Sequence, residues 1–143
     1  MSSSLRFPYP NGWFIAVADR AVDAARGEEL LRAAGAREVR QLVAGGDGMM
    51  TMGKAGAFEK LVNLLRHINM DQAVDAVVYE AAREAGRVVL AARGLNADAR
   101  RSVAAELRGA GLHFVNFYGG VLTEDWDGWR GELLPNVPSW AWR

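Results

Sequence analysis

The feature that most constrains the fold of this chain is an internal repeat of one pattern. A strand-sized apolar run, Trp13 to Ala18, leads into residues with helical apolar spacing that end at Gly35. A second apolar run, Arg87 to Ala92, leads into another helical stretch that ends at Gly111. Glycine readily takes the left-handed conformation that closes a helix. The repeat therefore predicts the same strand–helix order twice.

The strands that follow the two helices complete two βαβ halves. Glu38 to Ala44 follows the first helix and Leu112 to Tyr118 follows the second, which gives halves at 12–44 and 87–118. Two such units predict a four-stranded, ferredoxin-like sheet with both helices on one face. The fold class is therefore α+β. A length of 143 residues, of which 50% are hydrophobic, suits a single domain over residues 1–143.

The two predicted helices carry different local signals. Asp19 precedes the first helix and Asn96 the second, and both residue types are good N-caps because they accept hydrogen bonds from unpaired backbone N–H groups. Gly27 falls on the inward stripe of the first helix. Because glycine has no side chain, this position is expected to let the helix approach the sheet closely.

A segment between the halves, residues 45–86, has no counterpart in a plain ferredoxin-like fold. After a flexible turn at Gly45 to Gly48, apolar residues recur at helical spacing from Phe58 to Ile68 and again from Ala73 to Ala85. This pattern predicts an inserted helical hairpin. Its apolar stripes must be buried, either on the open face of the sheet or against another subunit, and the sequence leaves both alternatives open.

Composition argues against several classes of function. The 17 basic and 17 acidic residues are interspersed, so nucleic acid is not an expected partner. The chain has no cysteine and its 2 histidines are far apart, so we predict no metal and no cofactor. No apolar run reaches membrane-spanning length, and the N-terminus lacks the apolar stretch of a signal peptide. We therefore expect a cytoplasmic protein.

Three stretches carry a resemblance to a known family. They are the motif His113-Phe114-Val115-Asn116-Phe117-Tyr118-Gly119, the Gly46-Asp47-Gly48 triplet, and Tyr79 followed seven residues later by Gly86. In these residues the chain resembles uncharacterised bacterial proteins related to the small general-stress type. The resemblance implies two βαβ halves around a helical middle, and it implies no activity. Those proteins follow the motif with Arg-Trp, whereas this chain has Gly120-Val121, so the role of that pair does not carry over.

His113 is the candidate general base of the chain. Alternation along the last predicted strand places His113 and Asn116 on opposite faces, with Asn116 as a buried amide that requires backbone partners. A catalytic interpretation pairs His113 with Asp125 or Tyr118 beside a water-excluding cavity. The alternative interpretation is that His113 has only a structural role.

The C-terminal tail, residues 119–143, is rich in tryptophan: Trp126, Trp129, Trp140 and Trp142. Exposed rings of this size are unfavourable in water. The tail is therefore expected to pack on its own domain, or to dock on another protomer or a partner protein. The sequence does not decide between these alternatives.

Other residues near the start of the tail have local interpretations. Tyr118, Trp126, Trp129 and Arg130 are candidates to surround a small-molecule pocket at the sheet edge. Thr123 to Asp125 reads as an N-cap followed by the acidic first turn of a short helix.

Two functional hypotheses follow. The preferred one is a non-catalytic α+β module that forms a homo-oligomer, or that binds a small ligand or a protein partner through the tail. The other is a small, cofactor-free enzyme of the dimeric α+β type that uses His113 as general base. The missing catalytic constellation favours the first hypothesis.

Overall fold

Five strands and three helices make up the described part of the chain. A computed structural model describes residues 12–44, 70–119, 122–135, 137 and 142. In chain order the elements are β1 (Trp13–Ala18), α1 (Ala21–Ala33), β2 (Glu38–Leu42), α2 (Met70–Glu84), β3 (Val88–Arg93), α3 (Ala97–Gly109), β4 (His113–Gly119) and β5 (Leu122–Asp127).

The strands form one sheet in the order β2-β3-β1-β4-β5. Every neighbouring pair is antiparallel. Because β1 and β2 are both antiparallel to β3, which lies between them, they are parallel to each other. The prediction of an α+β fold is confirmed. The sheet has five strands instead of the predicted four, because the first part of the C-terminal tail adds β5.

The prediction of a short helix at Thr123 to Asp125 is wrong, because these residues lie in β5. β5 pairs with β4 from Gly119↔Leu122 to Val115↔Asp127. The pairing gives backbone partners to the side of β4 that faces away from β1. In the sequence, Gly120 and Val121 separate the paired ends, and a two-residue spacing with glycine first is typical of a tight hairpin. This signal outweighs the capping pattern.

Helices α1 and α3 cover one face of the sheet. Buried residues of both helices, such as Leu31, pack with Phe14 and other residues of the central strands. Gly27 allows the predicted close approach of α1, since a Cβ atom there would lie 2.8 Å from the side chains of Leu112 and Leu90. The central strands β1 and β3 are buried and almost wholly apolar, as expected for strands covered on both faces.

Helix α2 covers the opposite face. Val78, Tyr79 and Ala82 of α2 join a core that includes Ile15 and Val17 of β1. The second helix of the predicted hairpin therefore lies on the face of the sheet that α1 and α3 leave open. The first predicted helix falls within residues 45–69, which lie outside the described residues.

The chain after β5 packs on the same face as α2. We use the name C-terminal segment for its described residues, 128–135, 137 and 142. Trp129, Leu134 and Val137 are buried in the core on the α2 side, and Trp142 packs against that core. The C-terminal segment therefore docks on its own domain. Trp140 lies outside the described residues. No helix of the described part is long and apolar enough to cross a membrane.

Candidate functional site

A β-bulge in β4 determines which side chains meet on the α2 face of the sheet. Val17 pairs with His113 and Ile15 pairs with Asn116, so β4 has one more residue than β1 between these pairs. Phe114 has φ 51°, in the left-handed region that non-glycine residues seldom adopt. The prediction that His113 and Asn116 lie on opposite faces is wrong, because the extra residue shifts the alternation and places both on the α2 face.

The hydroxyl of Tyr79 lies at the centre of a buried polar cluster beside this bulge. It lies 3.0 Å from the carbonyl oxygen of Phe114 and 3.3 Å from that of Ile15. Asn116 is satisfied at both ends when its Oδ1 accepts from the Tyr79 hydroxyl at 2.9 Å and its Nδ2 donates to Asp125 Oδ1 at 2.9 Å. Helix α2 therefore supplies a polar partner at the point where the bulge interrupts the regular strand pairing.

Tyr118 extends this cluster to a second residue of α2. Its hydroxyl donates to Asp75 Oδ2 at 2.9 Å and lies 3.3 Å from the Tyr79 hydroxyl. Burial, reinforced by the neighbouring Tyr79 and Asp75, raises the pKa of Tyr118 well above its ordinary value, so the hydroxyl stays protonated and can donate. We refer to Asp75, Tyr79, Asn116 and Tyr118 as the tyrosine cluster. All four side chains are buried.

His113 lies next to the bulge but has its own set of partners. Its Nε2 is 2.8 Å from Asp19 Oδ1, and its Nδ1 accepts from the backbone N–H of Arg130 at 3.2 Å. This pattern fits an uncharged imidazole with its proton on Nε2. The ring meets the Trp129 indole edge to face, with centroids 4.5 Å apart, and the residue is 1% exposed. Both nitrogens are therefore engaged within the protein.

Asp19 binds His113 instead of capping helix α1. The N-cap position of α1 is Arg20, which makes no side-chain capping bond, so the predicted N-cap role of Asp19 is wrong. Asp19 Oδ1 also accepts from Arg87 Nη1 at 2.7 Å. Burial raises the pKa of Asp19, but the hydrogen bonds from His113 and Arg87 outweigh it and hold the pKa below its ordinary value. The predicted N-cap Asn96 does cap its helix, accepting from Ala99 N–H at 2.8 Å.

The predicted partners of His113 lie elsewhere. Asp125 contacts Asn116, and Tyr118 contacts Asp75 and Tyr79. A general base needs a nitrogen within hydrogen-bond reach of the substrate proton. With its two nitrogens facing Asp19 and Arg130, His113 instead joins the sheet to the C-terminal segment.

Trp129 and Arg130 hold the C-terminal segment against the sheet. Trp129 Nε1 donates to the carbonyl oxygen of Glu132 at 3.1 Å, and the Trp129 ring centroid is 4.9 Å from that of Trp142. The Arg130 guanidinium donates to the carbonyl oxygen of Leu112 and to Asp127 Oδ2. These contacts assign structural roles to two of the predicted binding residues.

Trp126 has a different environment from Trp129. It packs against the core on the α1 and α3 side, and its Nε1 donates to Glu124 Oε1 at 2.9 Å. Glu124 also receives two hydrogen bonds from Arg100 at 2.9 Å each, and these hold the pKa of Glu124 below its ordinary value. Tyr118 and Trp129 belong to the core on the opposite face. The four residues predicted to frame one pocket are therefore divided between the two faces of the sheet.

Two surface clefts meet at Trp126 and the exposed Asp125. One has a volume of about 390 Å³ and is lined in addition by Ala97, Arg101 and Glu124. The other, of about 400 Å³, is lined in addition by Asn116, Asp127 and Gly128. Asn116 therefore connects the second cleft to the buried tyrosine cluster. His113 is among the lining residues of neither cleft.

Sequence reasoning missed Asp19, Asp75 and Tyr79 as members of these clusters. Asp75 and Tyr79 are four residues apart and share one face of α2 with Ala82, so a carboxylate on an apolar stripe was the available signal. No local signal identifies Asp19, whose partner His113 is 94 positions further along the chain.

Comparisons with known proteins return no neighbour. No protein-family model, no curated protein and no solved structure matches the chain. Within the described residues, no three His, Asp or Glu side chains lie together in a way that could hold a metal ion.

Proposed function

We propose that the protein is a non-catalytic binding module whose ligand site is the outer strand β5 around Trp126. A small molecule, or a side chain of a partner protein, would occupy the two clefts that meet at Trp126 and Asp125. The observation that carries this proposal is the position of Trp126 between clefts of about 390 and 400 Å³. Ligand sites combine apolar walls with a few polar groups that fix orientation, and these clefts offer both.

The environments of the other tail residues support this choice. Trp129 is 9% exposed and is packed between His113 and Trp142. It is therefore used within the fold. His113 faces Asp19 and Arg130, which argues for a binding module and against an enzyme with His113 as general base.

Self-association belongs to the same proposal, with the ligand site as its stronger part. The large apolar side chains that are mostly exposed in the described part are Val22 and Leu133. Stable homo-oligomers usually bury a larger apolar surface. Sedimentation velocity of the full chain tests self-association, and an oligomer that Trp126→Arg dissociates would place the interface at β5.

The ferredoxin-like frame, the family relationship and the cellular location of the module are part of the proposal as well. The strand order β4-β1-β3-β2 within the sheet supports a ferredoxin-like frame built from two βαβ halves. The motif from His113 to Gly119 supports a relationship to the small general-stress proteins of bacteria. Composition supports a cytoplasmic location.

An NMR fragment screen tests the ligand site. The probe is a library of small aromatic and polar fragments, added in mixtures to the ¹⁵N-labelled full chain. We expect a subset of fragments to shift the indole N–H signal of Trp126, identified by its loss in Trp126→Phe. Leu133→Ala, which changes an exposed apolar residue outside both clefts, should leave fragment binding unaltered.

Two outcomes count against the ligand site. One is that no fragment in the library moves the Trp126 signal. The other is that Trp126→Ala and Asp125→Asn bind the same fragments as strongly as the unaltered chain does.

A further inference from the structure

The C-terminal segment is joined to the sheet through a side chain that can change its protonation. His113 lies on β4, and its two nitrogens face in opposite directions. Nε2 faces Asp19 of the body of the domain, and Nδ1 faces the backbone N–H of Arg130 in the C-terminal segment. An imidazole nitrogen accepts a hydrogen bond only while it carries no proton. The contact to Arg130 therefore requires uncharged His113.

Protonation of His113 would make one of these two contacts, the one with Arg130, unfavourable. A proton on Nδ1 would point at the Arg130 N–H from 3.2 Å, so a donor would face a donor. The contact of Nε2 with Asp19 would persist and gain charge. Protonation of His113 therefore weakens its contact with the C-terminal segment and keeps its contact with Asp19.

The charged groups around His113 are of both signs, so they do not simply stabilise a protonated ring. Asp19 is the carboxylate in contact, and it is already paired with Arg87 at 2.7 Å. Arg87 also lies 4.0 Å from Glu132. Arg130 pairs with Asp127 at 3.0 Å, and Arg108 lies 3.9 Å from the same carboxylate. A protonated ring that is 1% exposed would thus share one partnered carboxylate with a second cation.

The aromatic contact on His113 couples the same event to the core. Trp129 packs edge to face on the imidazole and lies beside Phe114, with ring centroids 6.1 Å apart. Trp129 and Arg130 are adjacent in the chain. Loss of the Arg130 contact therefore loosens the residue that carries the main aromatic anchor of the segment.

We propose that the C-terminal segment is a proton-sensitive cover that detaches from the α2 face of the sheet when His113 is protonated. Its detachment would expose Phe114 and the surface now covered by Trp129, Leu134 and Val137. This proposal rests on the contacts of His113 and does not require a ligand at Trp126, although Gly128 of the C-terminal segment also lines the second cleft.

The direction of the pH effect follows from the geometry. The attached state needs the uncharged ring, so it binds fewer protons at His113 than the detached state does. Attachment therefore weakens as the pH is lowered and His113 takes up a proton. One linked proton can increase the opening equilibrium by at most about tenfold per pH unit.

Hydrogen exchange of single amides measures the opening directly. The protection of the Arg130 amide, corrected for the intrinsic pH dependence of exchange, is compared with that of a β1 amide such as Val17. We expect the Arg130 protection to fall as the pH is lowered, by at most about tenfold per pH unit, while Val17 stays protected. The same experiment uses His113→Asn, whose carbonyl oxygen can accept from Arg130 without titrating, and this variant should lose the pH dependence.

The second histidine of the chain provides a matched control. His67→Asn removes the other imidazole and should retain the pH dependence in full. The proposal is overturned if His113→Asn keeps the wild-type pH dependence, if Arg130 protection does not change with pH, or if Val17 loses protection in parallel.

A measurement on the unaltered chain covers the case in which His113→Asn does not fold. Imidazole ¹⁵N chemical shifts should show the proton on Nε2 at high pH, and protonation of Nδ1 should coincide with the shift of the Arg130 amide signal. A proton on Nδ1 at high pH, or titration without any change at Arg130, contradicts the proposal.

Discussion

The two strand–helix–strand units of the sheet start from the same sequence pattern and end differently. The first, β1-α1-β2, ends in a short outer strand of which only Leu42 is buried. The second, β3-α3-β4, ends in a strand whose first four residues are buried and which continues into β5. Only the second unit contains a non-glycine residue with positive φ, Phe114, among the described residues. The candidate sites therefore arise where the second unit departs from the first.

The difference has a physical origin at the last strand of each unit. β2 carries Glu38 and Arg40, which pair with each other, and charged residues protect an outer strand from unwanted pairing. β4 is mostly buried and pairs on both sides, so it must satisfy its backbone groups inside the protein. At the bulge the Tyr79 hydroxyl lies within hydrogen-bond distance of the carbonyl oxygens of Phe114 and Ile15, so a side chain of α2 supplies a polar group beside the interrupted pairing. An identical strand–helix order thus leads to a simple edge in one unit and to a polar cluster in the other.

The largest expected effect concerns the C-terminal segment, which follows the second unit in the chain. Trp129→Ala removes a ring that is 9% exposed and should lower the free energy of unfolding by about 3–5 kcal/mol. Trp126→Ala, on the opposite face of the same sheet edge, removes a half-buried ring and should lower it by about 1 kcal/mol. Urea denaturation followed by circular dichroism measures both. Equal losses would mean that the C-terminal segment is not part of the core.

The next effect tests whether Tyr79 supports the bulge. Tyr79→Phe keeps the ring against Phe114, at a centroid distance of 5.0 Å, and removes the hydroxyl. The hydroxyl carries a single proton, so the variant removes one donor that the Phe114 carbonyl and Asn116 Oδ1 share, and the loss should cost about 1–3 kcal/mol of unfolding free energy. Differential scanning calorimetry should show a lower Tm. Because β2 has no bulge, Arg40→Ala should cost less than about 1 kcal/mol, and a larger loss there would contradict the comparison.

A smaller effect of opposite sign distinguishes the two helices on the shared face. At Gly27 a Cβ would lie 2.8 Å from the side chains of Leu90 and Leu112, so Gly27→Ala should destabilise by about 1 kcal/mol despite the better helix propensity of alanine. At Gly109 a Cβ would meet nothing within 4 Å. Gly109→Ala should therefore stabilise by about 0.5–1 kcal/mol. Thermal melts of the two variants check the sign, and stabilisation by Gly27→Ala would show that α1 is not tightly packed.

Much of the frame was predictable because it depends on short-range patterns. The four strands and two helices of the repeat follow from apolar spacing, and Gly35 and Gly111 have the positive φ values expected of helix-ending glycines. Gly27 was predictable from its place on the inward stripe. β5 was missed because Thr123 to Asp125 has the pattern of a helix start, whereas the two-residue spacing at Gly120-Val121, which is typical of a tight hairpin, is the pattern that agrees with the fold.

The candidate sites were less predictable because they depend on one inserted residue and on distant partners. The bulge at Phe114 reverses the alternation that the sequence implied for His113 and Asn116. Asp19 has the chemistry of an N-cap, but a buried histidine and Arg87 compete for its carboxylate. A spacing rule has no access to such competition, because it compares neighbours in the chain and not neighbours in space.

The smallest expected effect separates the two helix starts by their pH dependence. Asn96→Ala removes an uncharged cap and should cost about 1 kcal/mol at any pH between about 3 and 7. Asp19→Asn removes a carboxylate whose pKa is held below its ordinary value of 3.8. A lowered pKa contributes stability that is present above the ordinary value and is lost as the pH falls through the folded value. The difference between Asp19→Asn and wild type should therefore be larger at about pH 7 than at about pH 3. Urea denaturation at both pH values measures it, and a pH-independent difference would mean that Asp19 acts on helix α1 in the way Asn96 acts on α3.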